Sequence, residues 1–216
     1  MAKLQRLNKI WQLVSVVFLV LFLTVGMLFT FHYSGPIGNA YVNNYSFAAD
    51  NAKRTDYLDY ESALLLEQGK TETSDYAGKL LISNERINRT GTSQTWAVLL
   101  TFLMGGLVAL IFIDLALSLI KMSQFYYLRF NLFQLVIKIC EATISLLILI
   151  GSKIYLAAIG EAAAHFSVGF GVYLLVGLAI AQIILWAVVY FIYKKQNDVY
   201  NLNEDNSIGY LTIKKK

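Results

Sequence analysis

Four long apolar runs, set apart by one long polar stretch and two short links, give this 216-residue chain its pattern. They extend from Ile10 to Phe31, Ala97 to Ile120, Leu132 to Gly151 and Gly169 to Tyr193. Each is about 20 residues or more, the length that carries an α-helix across a hydrocarbon layer of about 30 Å. The pattern predicts an all-α integral membrane protein: a four-transmembrane-helix bundle with a small, helical extracytoplasmic loop between helices 1 and 2. The non-spanning segments are then residues 1–9 and 194–216 at the cytoplasmic ends, the loop 32–96, a cytoplasmic interfacial link at 121–131 and a short extracytoplasmic link at 152–168.

The loop opens with SGPIGN, where glycine and the chain's single proline stop a helix. Beyond it, TDYLDYESALLLEQG starts at a capping Thr55 and stops at Gly69. In SDYAGKLLISNERINR, Tyr76, Leu80 and Ile87 fall at helical spacing before Gly91. A helical hairpin is the expected structure. Its eight acidic and six basic residues suit an exposed segment. In the tail, Ile208 to Ile213 is suited to adding a strand to a partner.

Polar residues interrupt the apolar runs at four places: Asp114 in the second, Lys138 and Glu141 in the third, and Gln182 in the fourth. At 1.5 Å per residue, Asp114 lies about 10 Å from Lys121, and Lys138 about 9 Å in from Leu132. Acid and base therefore share a level, where a charge in lipid needs a partner or a function. Glu141 and Gln182 lie a few ångströms deeper by the same rise, so all four residues form one expected intramembrane polar cluster. Starting the third run at Ile139 instead would bring Lys138 to the headgroups and bury Lys153. The register from Leu132 is preferred because it pairs Lys138 with Asp114.

Two strips of small residues, Gly105 with Ala109 and Gly177 with Ala181, have the spacing that lets helices approach closely. Gly106 extends the first. Cys140, the only cysteine, lies inside a run, which excludes an intrachain disulfide and suits a small buried hydrophobe. His32 reads as an interfacial ring. Glu161 and His165 share a helical face four positions apart, but a metal site takes three or four ligands, and none is close in sequence. Of the two sequons, at Asn44 and Asn88, chance supplies about one in so polar a loop, and they are glycosylation sites only in a eukaryotic cell. Gly38 and Ala40 make a small-x-small pattern, yet the first run exceeds a signal peptide's 7 to 15 apolar residues and reads as uncleaved.

Composition agrees with the class: 57% hydrophobic and 15% charged, against about 25% charged in soluble domains. The net charge of +4 arises from residues that flank the runs. Lys3, Arg6, Lys9, Lys121, Arg129, Lys194, Lys195 and the last three lysines all fall on one side when both termini are cytoplasmic, as the positive-inside rule requires. The aromatic and basic link KMSQFYYLRFN suits a headgroup belt, and no compact basic face is offered to nucleic acid. Frequent lysine and asparagine favour a bacterial plasma membrane.

No nucleophile and base pair, phosphate loop, dinucleotide fingerprint or zinc spacing is present. The sequence therefore points away from an enzyme and from a cofactor. The expected partners are the lipid bilayer and either a membrane protein or a second copy of the chain. The expected role is a non-catalytic interaction, regulatory or immunity-type subunit, with a small transporter or channel using the polar cluster as the alternative.

Overall fold

In the computed structural model, residues 2–35, 38–42, 77, 78, 81, 91–119 and 124–213 are described. They form helices α1 (Ala2–Leu28), α2 (Gly91–Leu119), α3 (Gln124–Ile159) and α4 (Phe170–Ile213), with strands β1 (Phe31–Gly35), β2 (Gly38–Val42) and β3 (Phe166–Val168). A 3-10 turn, Gly160–Ala163, follows α3. Each helix packs on the next and α4 packs on α1, which closes a ring of four. Three helical segments, Gly91–Leu119, Leu132–Ile159 and Phe170–Ile192, are long and apolar enough to cross a membrane; α1 adds a shorter apolar stretch, Gln12–Val25.

The distribution of polarity is inverted relative to a soluble bundle. Asp114, Gln134, Lys138, Glu141 and Gln182 are buried, while Phe102 (75% exposed), Phe191 (67%) and Leu13 (66%) point outward. Water would penalise so much exposed apolar surface. Acyl chains would not, so the arrangement suits a membrane-embedded protein.

The buried positions follow a 3-4 spacing. On α2 they include Leu100, Met104, Leu107, Ile111, Asp114 and Ser118. Lys138, Glu141, Ser145, Ile148, Ser152, Tyr155 and Ile159 repeat the spacing on α3, as do Val172, Leu175, Ala179, Gln182, Trp186 and Val189 on α4. An average of 3.5 residues keeps one seam of each helix facing its neighbours, as in left-handed bundles.

A three-stranded antiparallel sheet in the order β2-β1-β3 caps one end of the bundle, which corrects the all-α expectation. The first helix stops at Leu28 and the chain turns into β1, where Phe31 and Tyr33 are buried while His32 and Ser34 face out. Ala40 and Val42 repeat the alternation on β2. This period of two is the strand signature. Gly35 pairs with Gly38, so two residues separate the strands, and Gly38 at the start of β2 has a positive φ of 122° that glycine adopts without steric cost. The hairpin expected to be helical lies outside the described residues apart from Ala77, Gly78 and Leu81, which are buried. Asn44 and Asn88 also lie outside them.

The sheet joins the end of α1 to the connection between α3 and α4. Phe31 pairs with Val168 and Tyr33 with Phe166. Backbone bonds extend the ladder at both ends, from the Ser34 amide to the His165 carbonyl (2.8 Å) and from the Gly169 amide to the Thr30 carbonyl (2.8 Å). Rings pack around it: Phe29 stacks on Phe170 at 5.1 Å, Tyr41 meets Phe29 edge-on at 4.9 Å, and Phe31 leans on Tyr155 at 5.7 Å. Helix α3 continues past Gly151 to Ile159 and ends at Gly160, whose φ of 73° is the left-handed cap that terminates helices. The tail segment Ile208 to Ile213 is the last part of α4, which runs to Ile213.

Gly169 allows this closure. A Cβ there would lie 2.2 Å from the Phe29 carbonyl oxygen, a backbone atom with no freedom to move aside. Gly169→Ala is expected to destabilise the fold by at least about 1 to 3 kcal/mol through overpacking. Gly105→Ala, which meets open space, is expected to leave stability within about 0.5 kcal/mol. Thermal unfolding of both variants in lipid nanodiscs checks the contrast.

Candidate functional site

The polar cluster lies in the bundle interior, away from the sheet. Lys138 on α3 extends its ammonium between two neighbours: Nζ donates to Asp114 Oδ2 on α2 at 2.5 Å and to Gln182 Oε1 on α4 at 2.9 Å. Asp114 and Lys138 form a salt bridge with side chains 0% and 2% exposed. A charge-assisted hydrogen bond in a dry interior is among the stronger non-covalent contacts, and one cation here links three helices.

The same antiparallel register continues one turn toward the chain termini. There Gln134 Nε2 donates to Ser118 Oγ at 3.4 Å, and Ser118 Oγ approaches Ser15 Oγ on α1 at 3.4 Å. The fourth helix thus joins the polar seam. One turn the other way on α3 comes Glu141, then Ser145, whose hydroxyl donates to the Glu141 carbonyl at 2.7 Å, and then Ser152. Several buried atoms have no hydrogen-bond partner: Asp114 Oδ1, Gln134 Oε1, both carboxyl oxygens of Glu141, Ser152 Oγ and Gln182 Nε2. Most of them gather on the levels of Lys138 and its adjacent turns, so the polarity is concentrated in one part of the core.

Of the four residues expected to cluster, Asp114, Lys138 and Gln182 are bonded to one another. Glu141 is buried beside them on α3 with neither oxygen engaged. Gln134, Ser118, Ser15, Ser145 and Ser152 extend the seam and were not singled out by sequence. Their signal was phase: Ser118 and Gln134 sit one turn from Asp114 and Lys138 on the same helical faces.

The small-residue strips are placed elsewhere. Gly105, Ala109 and Gly177 are exposed, Ala181 is half-buried, and a Cβ at Gly105, Gly106 or Gly177 would meet nothing within 4 Å. The expectation that Gly105 and Gly177 seat a neighbouring helix is therefore not met inside this chain. Helical phase explains it, since Gly105 is nine residues from Asp114 and so about half a turn round from the buried seam. The close approach occurs at Gly151, where a Cβ would lie 3.1 Å from Trp96 and Leu100. Cys140 is exposed on the outer face, correcting the expectation of a buried thiol, because two residues from Lys138 is again more than half a turn.

His32 contacts the Tyr41 ring at 4.9 Å, and His165 lies 6.1 Å edge-on from Tyr33. Glu161 falls in the 3-10 turn, so the continuous helix assumed for its pairing with His165 is interrupted. Among the described residues, no group of three or more His, Cys, Asp and Glu is placed to hold a metal ion. Comparison with protein-family models, with curated proteins and with solved structures finds no match.

Removing one member of the charge pair should cost far more than removing both. Lys138→Met leaves Asp114 buried without its cation and is expected to destabilise the bundle by about 3 to 5 kcal/mol, whereas adding Asp114→Leu should recover most of that loss. A double-mutant cycle on chemical unfolding in detergent micelles measures the coupling directly.

Proposed function

We propose that the chain is a non-catalytic, multi-pass plasma-membrane protein with both termini in the cytoplasm. In this reading it serves as an interaction, regulatory or immunity-type subunit of a membrane complex, and Asp114, Lys138 and Gln182 form its structural latch. The observation that carries the reading is the double engagement of the Lys138 ammonium, at 2.5 Å to Asp114 and 2.9 Å to Gln182. A cation already shared by acceptors on two neighbouring helices is suited to holding those helices and poorly suited to releasing a cargo.

Two further features support a binding role. The strips at Gly105 with Ala109 and at Gly177 lie outward with open space beside their glycines, where a helix of a membrane partner or of a second copy can approach closely. Helix α4 continues from Ile192 to Ile213, about 30 Å at 1.5 Å per residue, as an extension beyond its apolar segment. In the proposed orientation that extension enters the cytoplasm and offers a second contact surface.

A small transporter or channel is the second reading. It is favoured by the unpartnered polar atoms of Glu141 and Ser152, which continue the seam toward the sheet end. The two readings separate on one variant pair. Exchanging the charges, Asp114→Lys with Lys138→Asp, is expected to preserve assembly and the co-purifying partner if the pair is a latch. A protein that assembles yet loses a proton or solute flux in vesicles would instead favour transport. Gly105→Leu is expected to release a partner seated on α2 while the unfolding temperature stays unchanged. Quantitative mass spectrometry of material solubilised from the native membrane in mild detergent reads that outcome.

A further inference from the structure

The latch leaves one buried acid unexplained. Glu141 is fully buried, both carboxyl oxygens lack a hydrogen-bond partner, and its helical position places it three residues from Lys138 on the same face of α3. The antiparallel register that sets Lys138 against Asp114 and Gln134 against Ser118 brings Glu141 level with Ile111 on α2. Extended from Lys138 and Gln182, it brings Glu141 level with Ala179 on α4. Ile111 and Ala179 are both buried and apolar. A carboxylate on such a level, without a donor, would face a desolvation cost of many kcal/mol unless something neutralises it.

The charges around Glu141 are few. Lys138 comes from its own helix and Asp114 from α2. Helix α4 presents the uncharged Gln182, and the buried polar side chain among the described residues of α1 is Ser15, on the level of Ser118 and Gln134. Lys138 is one cation between two acids, and its bond to Asp114 is already made. The group that fits the remaining carboxyl is the smallest cation available.

We propose that Glu141 is an intramembrane proton-binding site whose occupancy sets where Lys138 binds. With the proton on Glu141, Lys138 stays with Asp114 and Gln182 and ties α2, α3 and α4 together. Without it, Glu141 becomes an acceptor one turn away on the same helix, and Lys138 can pair within α3 while releasing its neighbours. The bound species is the proton; it leaves to water as Glu141 ionises, and no other bond forms or breaks. Loss of the proton thus loosens the contacts of α3 with α2 and α4, giving the bundle a proton-dependent change of stability. The inference rests on the latch reading.

The test is infrared spectroscopy of the full chain in lipid nanodiscs, followed from acid to alkaline pH, with unfolding temperature recorded in parallel. The expected result is a carboxylic-acid C=O band in the wild type at neutral pH that Glu141→Gln removes. On alkalinisation the band should convert to carboxylate while the wild-type unfolding temperature falls, and Glu141→Gln should hold its unfolding temperature over the same range. Glu141→Asp retains the acid and should shift the band without abolishing it, which keeps the assignment testable if the glutamine variant fails to accumulate. Absence of a band assignable to residue 141, a band that ignores pH, or a band lost on adding sodium chloride at constant pH would overturn the proposal. The last outcome would make the site one for a metal cation. Failure of the latch reads differently: Lys138→Met would then leave the unfolding temperature unaltered while the Glu141 band persisted.

Discussion

A buried ammonium group organises this bundle. Lys138 lies fully buried on a narrow polar seam within a largely aliphatic and aromatic core, and an unpaired charge there would be prohibitively expensive. Its cost is offset only if acceptors from neighbouring helices reach it, which Asp114 and Gln182 do. That requirement fixes three features together: the depth of α2 relative to α3, the depth of α4 relative to α3, and the rotation of each helix about its axis. Aliphatic layers alone would tolerate a slip of one turn, since Leu, Ile and Val fill neighbouring layers nearly interchangeably. A pair of opposite charges does not, so the polar contact sets register where apolar packing sets affinity.

The sheet addresses the other half of the problem. Helices in lipid gain little from hydrophobic association, because acyl chains are as apolar as leucine. Backbone pairing of β1 with β3 joins the end of α1 to the α3–α4 connection without relying on that effect. The rings of Phe29, Phe170, Tyr41 and Phe31 surround the junction. One end of the bundle is therefore held by backbone hydrogen bonds, and its middle by a charge.

What the amino-acid sequence disclosed, and what it did not, follows from range. The number of long helices and the shared level of Asp114 and Lys138 depend on length and rise per residue, which are local properties, and both were legible; of the four expected spans, three helices are long and apolar enough and α1 carries a shorter apolar stretch. Burial of Gln182 beside them was legible for the same reason. Phase was available but unused. Counting at about 100° per residue from Asp114 and Lys138 places Gly105 and Cys140 on the outer face, as found, and Ser118 and Gln134 on the inner one. The hairpin was missed because Phe31 and Tyr33 extend an apolar run and read as the end of a span. The alternation of Phe31, His32, Tyr33 and Ser34 before a pair of glycines with two residues between them was the available signal. The β1–β3 pairing joins residues more than 130 positions apart, so no local pattern encodes it. Nor did any pattern reveal that Glu141 would lack a donor while its neighbours found theirs.

The account stands on contact between the Lys138 amine and the Asp114 carboxylate inside the bundle. Solid-state NMR of protein in lipid bilayers, with ¹⁵N-lysine and ¹³C-carboxyl-aspartate labels and Lys138→Met as the assigning control, measures that contact through nitrogen–carbon dipolar dephasing. Strong dephasing of one lysine amine that disappears in the variant is the predicted result. A Lys138 amine that shows no carboxyl coupling and exchanges freely with water would contradict it.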